Sequence, residues 1–77
     1  MNAETIKQMI ENGLPGAQVV VAGEDGSHFE AQVVHDGFAG KPPLARHRMV
    51  YATLGNAMDS EIHALSLKTL TPDQSSD

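Results

Sequence analysis

The run from Gly37 to Pro72, GFAGKPPLARHRMVYATLGNAMDSEIHALSLKTLTP, joins a glycine-flanked turn, a basic helix start and a strand headed by His63. A helix set between two strands is a crossover, and a crossover suits parallel neighbours linked with a right-handed connection. The strand before the run and the strand that ends it are therefore expected to lie parallel in one sheet.

The upstream sequence supplies the other elements. Asn2 to Asn12 is expected to be helical, because Ile6, Met9, Ile10 and Leu14 recur at helical spacing, Glu4 lies in the first turn, and Gly13 with Pro15 supplies the stop. Ala17 to Ala22, AQVVVA, reads as a strand. Asp25-Gly26 within GEDGSH signals a hairpin, since both positions tolerate positive φ. From His28 to His35 the chain alternates, with Phe29, Ala31 and Val33 on one face and His28, Glu30 and Gln32 on the other.

After the turn-rich HDGFAGKPP, two prolines set a helix start near Pro43. Its inward stripe is expected to be Leu44, His47, Val50, Tyr51, Leu54 and Met58. Gly55 reads as a weakness inside that helix, costing about 1 kcal/mol relative to alanine. Glu61 to Leu70 reads as the last strand, with His63, Leu65 and Leu67 on one face. The order helix, strand, strand, helix, strand predicts an α+β sandwich: a three-stranded mixed sheet with both helices packed on one face. Residues 1–72 are expected to form the domain, and 73–77 a polar, disordered tail.

Composition narrows the chemistry. The 77 residues fit one domain and hold four histidines (His28, His35, His47, His63) and no cysteine. Disulfide staples are excluded, and any metal chemistry must draw on imidazole and carboxylate, with thiolate supplied by a partner. No apolar run approaches the ~20 residues needed to span a bilayer. The amphipathic start MNAETIKQMIE lacks the layout of a secretion signal, so a soluble cytoplasmic protein is expected. The formal charge of −5 opposes general nucleic-acid binding. Three of the five basic residues, Lys41, Arg46 and Arg48, nevertheless fall within eight positions that contain no acid.

Taken together, SHFEAQVV, FAGKPPLARHRMVYATL and IHALSLKTLTP resemble the BolA family, closest to its IbaG (YrbA) type. The specific parts are the F-x-G turn at Phe38 and Gly40, the RHRMVY run at Arg46 to Tyr51 and the H-A-L-S-L strand at His63 to Leu67. The resemblance implies a class II KH-like αββαβ fold. It implies pairing with a monothiol glutaredoxin, either as an apo heterodimer or around a shared [2Fe-2S] cluster, and transcriptional regulation in stress and cell-shape responses. The family histidine at the start of the last strand, a cluster ligand in that picture, lands on His63. A second candidate, in the loop between the first two strands, lands on His28. The family's longer members carry a further C-terminal helix, which here is expected to be short or missing.

Without the resemblance, His63 reads as a half-buried histidine bonded to a backbone carbonyl, whereas for His28 a solvated turn residue and a ligand stand as equal alternatives. The topology bears on the choice. The second strand starts at the hairpin tip and a parallel third strand starts at the same end, so the two imidazoles can converge. His47 is expected in the core and His35 at the surface of the opposite end. Two imidazoles are too few for a closed zinc site, which wants four donors. Glu24, Asp25 or Glu61 could add a third, but no H-E-x-x-H spacing supports one. An iron–sulfur cluster, absent from the isolated chain, could be completed by a glutaredoxin cysteine and glutathione.

Gly37-Phe38-Ala39-Gly40 also matches the GXXG of KH domains, a loop that clamps nucleic-acid backbone. That loop joins two helices, so a short 3₁₀ segment would be needed ahead of it here. Phe38 is expected to plug the core rather than stack a base. Lys41, Arg46 and Arg48 are the candidate DNA contacts of a regulator, or cations that steer a protein partner. A third reading is a metal-free binding module. No G-x-S-x-G elbow or Walker loop is present, so no enzyme is expected.

Overall fold

The computed structural model describes residues 1–60, 62 and 64–75. His63, the principal candidate ligand, and Glu61, one of three acidic residues considered as a further donor, lie outside the described residues.

Helix α1 spans Ala3–Gly13. Asn2 caps it, its side-chain oxygen accepting from the Thr5 amide at 2.8 Å, which satisfies one of the amides a helix start leaves without an intrahelical partner. Ile6 and Ile10, one turn apart, are completely buried. Strand β1 (Gln18–Ala22) pairs antiparallel with β2 (His28–Val34), and β2 pairs parallel with β3 (Ala64–Leu70), giving the sheet order β1-β2-β3. The crossover deduction therefore holds, and so does the three-stranded mixed sheet. The last strand begins at Ala64 among the described residues.

The alternation in β2 is borne out: Phe29, Ala31 and Val33 are buried, while His28 and Glu30 are exposed. The buried face meets α1 and helix α2, Pro43–Leu54, in one core of Ile6, Ile10, Val19, Phe29, Val33, Phe38, Val50 and Leu54. Each such side chain taken from water contributes roughly 1.5–3 kcal/mol. Both helices lie on this face.

Four expectations are corrected. Of the stripe assigned to α2, Val50 and Leu54 are buried and His47 is half-buried, but Leu44 is 63% and Tyr51 37% exposed. Apolar residues occur all around this helix, so periodicity does not single out the buried side. Gly55 does not lie within the helix but ends it, with φ 55° and ψ −125°, a conformation that a side chain would disfavour. A short helix α3 (Ala57–Ser60) follows, and the Ile62 amide donates to the Ala57 carbonyl at 2.9 Å.

The hairpin turns differently from a two-residue Asp-Gly turn. Gly26 takes φ 78°, whereas Asp25 keeps negative φ and acts through its side chain. Lastly, residues 73–75, expected in a disordered tail, belong to a helical turn, α4 (Pro72–Ser75). Thr71 at its start is buried, its hydroxyl donating to Asp73 Oδ1 at 2.7 Å and its amide to Gln74 Oε1 at 2.9 Å.

Candidate histidine site at the hairpin tip

The β1–β2 loop is organised by one carboxylate. Asp25 Oδ1 accepts from the amides of Ser27 (2.9 Å) and His28 (2.8 Å), an arrangement in which a side chain replaces a backbone turn acceptor. Its other oxygen, Oδ2, lies 2.6 Å from His28 Nδ1. The His28 amide, the Ser27 amide and the His28 ring together hold the Asp25 carboxyl far below the usual carboxylate range. The His28 side chain is 66% exposed. An imidazole is thus displayed at the first residue of β2, with one nitrogen turned toward a carboxylate.

The parallel ladder brings the start of β3 to the same place. His28 is the register partner of Ala64, and the Ala64 amide donates to the Ser27 carbonyl at 3.2 Å. Ala64 follows His63 in the sequence. A groove of about 330 Å³ opens here, lined by Ala22, Gly23, His28, Glu30, Ala64 and Ser66 among others. Among the described residues no three His, Asp or Glu side chains converge as a metal-holding group. Asp25 is engaged with the loop and the ring, which sets its geometry apart from that of a third metal donor.

The remaining histidines stand elsewhere. His35 follows β2 at the opposite pole and is half-buried rather than a plain surface residue. Its ring meets Phe38 edge-on, with centroids 5.3 Å apart, and its amide donates to the Leu70 carbonyl at 3.0 Å. A 3₁₀ turn does form, at Asp36–Phe38, but it takes in the first half of the GXXG stretch instead of preceding it, and Phe38 is fully buried, plugging the core as expected.

The three cations separate at this pole. Lys41 and Arg48 are exposed. Arg46 is half-buried and turned inward: Nε donates to the Lys41 carbonyl at 2.8 Å, and one terminal nitrogen donates to the Thr69 carbonyl at 3.3 Å and to Gln74 Oε1 at 3.0 Å. Its guanidinium carbon also stands 5.9 Å from the Phe38 ring centroid, within cation–π range. Arg46 thereby ties the turn, the end of β3 and α4 together.

Sequence reasoning placed His28 at the tip and read Asp25 as a hairpin residue and a possible third metal donor, not as the partner of the His28 amide and ring. The signal for its actual partners was present: an aspartate with amides two and three residues on is the pattern of a side-chain-closed turn. Arg46's partners lie 23 and 28 residues away and have no such local signature.

A mixed sheet covered by helices on one face, with an imidazole at one strand end and exposed cations at the other, defines a small α+β module built around displayed side chains. The model of BolA-like proteins matches residues 6–74. A bolA protein homologue from Coxiella burnetii superposes with a TM-score of 0.90 at 50% identity, covering 100% of this chain and 99% of that one. A protein of Acinetobacter guillouiae described as an uncharacterized protein in the rpoN-murA intergenic region is 33% identical over 75 residues, covering 96% of this chain and 89% of the relative. The DNA-binding transcriptional regulator BolA of Escherichia coli (strain K12) is 46% identical over 52 residues, which cover 68% of this chain and 49% of the regulator's length. The chain belongs to the BolA family.

Proposed function

We propose that this BolA-family chain is an adaptor, without catalytic activity of its own, that pairs with a monothiol glutaredoxin in iron–sulfur cluster handling. In this reading His63 and His28 offer imidazole to one iron of a shared [2Fe-2S] cluster. The observation that carries it is the exposed His28 ring in register with Ala64, the residue that follows His63.

The donor chemistry fits half of such a cluster. Imidazole replaces thiolate at one iron in known [2Fe-2S] centres, and a histidine whose other nitrogen meets a carboxylate is the usual form of a metal-ligating histidine. With no cysteine in the chain, the thiolates would come from the partner's cysteine and glutathione. The cluster, when bound, supplies one-electron chemistry or transferable iron and sulfide. The chain's own residues would orient the ring and set the approach at the groove.

The test is reconstitution with a monothiol glutaredoxin, glutathione, iron and sulfide. A visible spectrum distinct from that of the glutaredoxin alone is expected, and His63→Ala should abolish the difference. A spectrum unaffected by that substitution defeats the ligand assignment.

A second reading, a DNA-binding regulator acting in stress response, draws on the identity to the Escherichia coli regulator and on the exposed Lys41 and Arg48. Arg46 is already occupied by internal bonds. The expected contribution to phosphate binding therefore rests on two side chains, each adding about 0.9 to the slope of log affinity against log salt. Gel shifts at several salt concentrations with Lys41→Ala and Arg48→Ala decide this, and an unchanged slope removes the reading.

A further inference from the structure

We infer that Asp25 is a positioning residue for His28: by accepting a hydrogen bond from Nδ1–H at Oδ2, it makes Nε2 the lone-pair donor of the neutral ring. The use of that donor rests on the ligand role proposed above, whereas the geometry stands independently of it.

The argument is one of donors and acceptors. A neutral imidazole carries one proton, on either nitrogen, and the partner of one nitrogen decides the role of the other. An ionised carboxylate only accepts. At 2.6 Å from Oδ2, Nδ1 is therefore the nitrogen that carries hydrogen. Free imidazole side chains in water favour the opposite arrangement, with the proton on Nε2, so Asp25 reverses the default.

The carboxylate cannot turn away without loss, because Oδ1 is held by the amides of Ser27 and His28. One residue thus closes the loop with one oxygen and selects the tautomer with the other. The ring is displayed at the tip groove, beside the start of β3. A borderline metal such as iron, which accepts imidazole nitrogen, would meet Nε2 on the ring edge away from Nδ1.

Asp25→Asn separates the two tasks. The amide oxygen can still accept from Ser27 and His28, but the atom facing the ring becomes an NH₂ donor, and Nδ1 must accept. Long-range ¹H–¹⁵N spectra of the His28 ring, recorded in alkaline buffer where imidazole is neutral, read the result directly. The unmodified chain should show the Nδ1–H pattern and Asp25→Asn the Nε2–H pattern. The Ser27 and His28 backbone amide shifts should stay near their original positions, showing an intact loop. An Nε2–H ring in the unmodified chain, or an Nδ1–H ring retained in Asp25→Asn, overturns the inference.

The glutaredoxin reconstitution then separates positioning from ligation. If His28→Ala and Asp25→Asn both alter the visible spectrum, positioning for ligation is supported. If His28→Ala alters it and Asp25→Asn leaves it untouched, the positioning role is overturned. If neither alters it while the tautomer switches as expected, His28 is removed as a ligand and the Asp25–His28 relationship stands.

Discussion

Asp25 holds His28 twice, its two carboxylate oxygens binding the backbone amide at 2.8 Å and the ring Nδ1 at 2.6 Å. Backbone and side chain of one residue are thus fixed by a single neighbour three positions earlier. The geometry of the tip depends on the charge state of that carboxylate.

The first prediction concerns pH. The amides of His28 and Ser27 and then the His28 ring bond lower the folded-state pKa of Asp25. A carboxyl lowered on folding contributes stability that is fully present above the unfolded value of ~3.9 and is lost as pH falls through the folded value. The His28 and Ser27 amide proton shifts should therefore remain unchanged as pH drops through the ordinary aspartate range and move only below it. NMR titration checks this, and a midpoint at the ordinary value contradicts it.

Gly55 gives a prediction of opposite sign to the one its position in the sequence suggests. Within a helix, Gly→Ala would stabilise by about 1 kcal/mol. At φ 55° and ψ −125° the same change should destabilise by roughly 1–3 kcal/mol. Urea denaturation of Gly55→Ala distinguishes the two by direction alone.

Arg46→Ala should lower stability by about 1.5–3 kcal/mol, the range for hydrogen bonds made by charged groups. Arg46→Lys should recover little, because one ammonium cannot reproduce a planar fork that reaches Lys41, Thr69 and Gln74. Amide exchange at residues 71–75 should quicken in both variants. Arg48→Ala, on an exposed side chain, should change neither stability nor exchange by a comparable amount.

Phe38 is fully buried beneath the turn, so Phe38→Ala should cost ~3–5 kcal/mol. Small domains hold only about 5–15 kcal/mol in total, so much of the folded population is at risk. Phe38→Leu should be milder. Thermal denaturation separates this core role from base stacking, under which stability would be nearly unchanged.

The elements that periodicity can encode were legible. Ile6 and Ile10 marked the buried side of α1, Phe29, Ala31 and Val33 the inner face of β2, and the helix between two strands the parallel pairing. What escaped depended on three-dimensional company. Leu44 and Tyr51 look as apolar as Val50 and Leu54, and which of them is covered depends on where α2 lies over the sheet. Gly55 reads as a tolerated defect until its backbone angles are known. At the candidate site, the convergence of His28 with the start of β3 followed from connectivity, and the engagement of Asp25 with both the amide and the ring did not. Arg46 looked like surface charge because its carbonyl partners carry no side-chain signature.

The parallel register has a geometric consequence for assembly. His28 is the first of the seven residues of β2, a strand of about 20 Å whose other end leads to the turn that carries Lys41. A companion whose contact is confined to the imidazole end would leave Lys41 exposed. On the pairing proposed above, that exposed cation would stay open to a second associate of different chemistry.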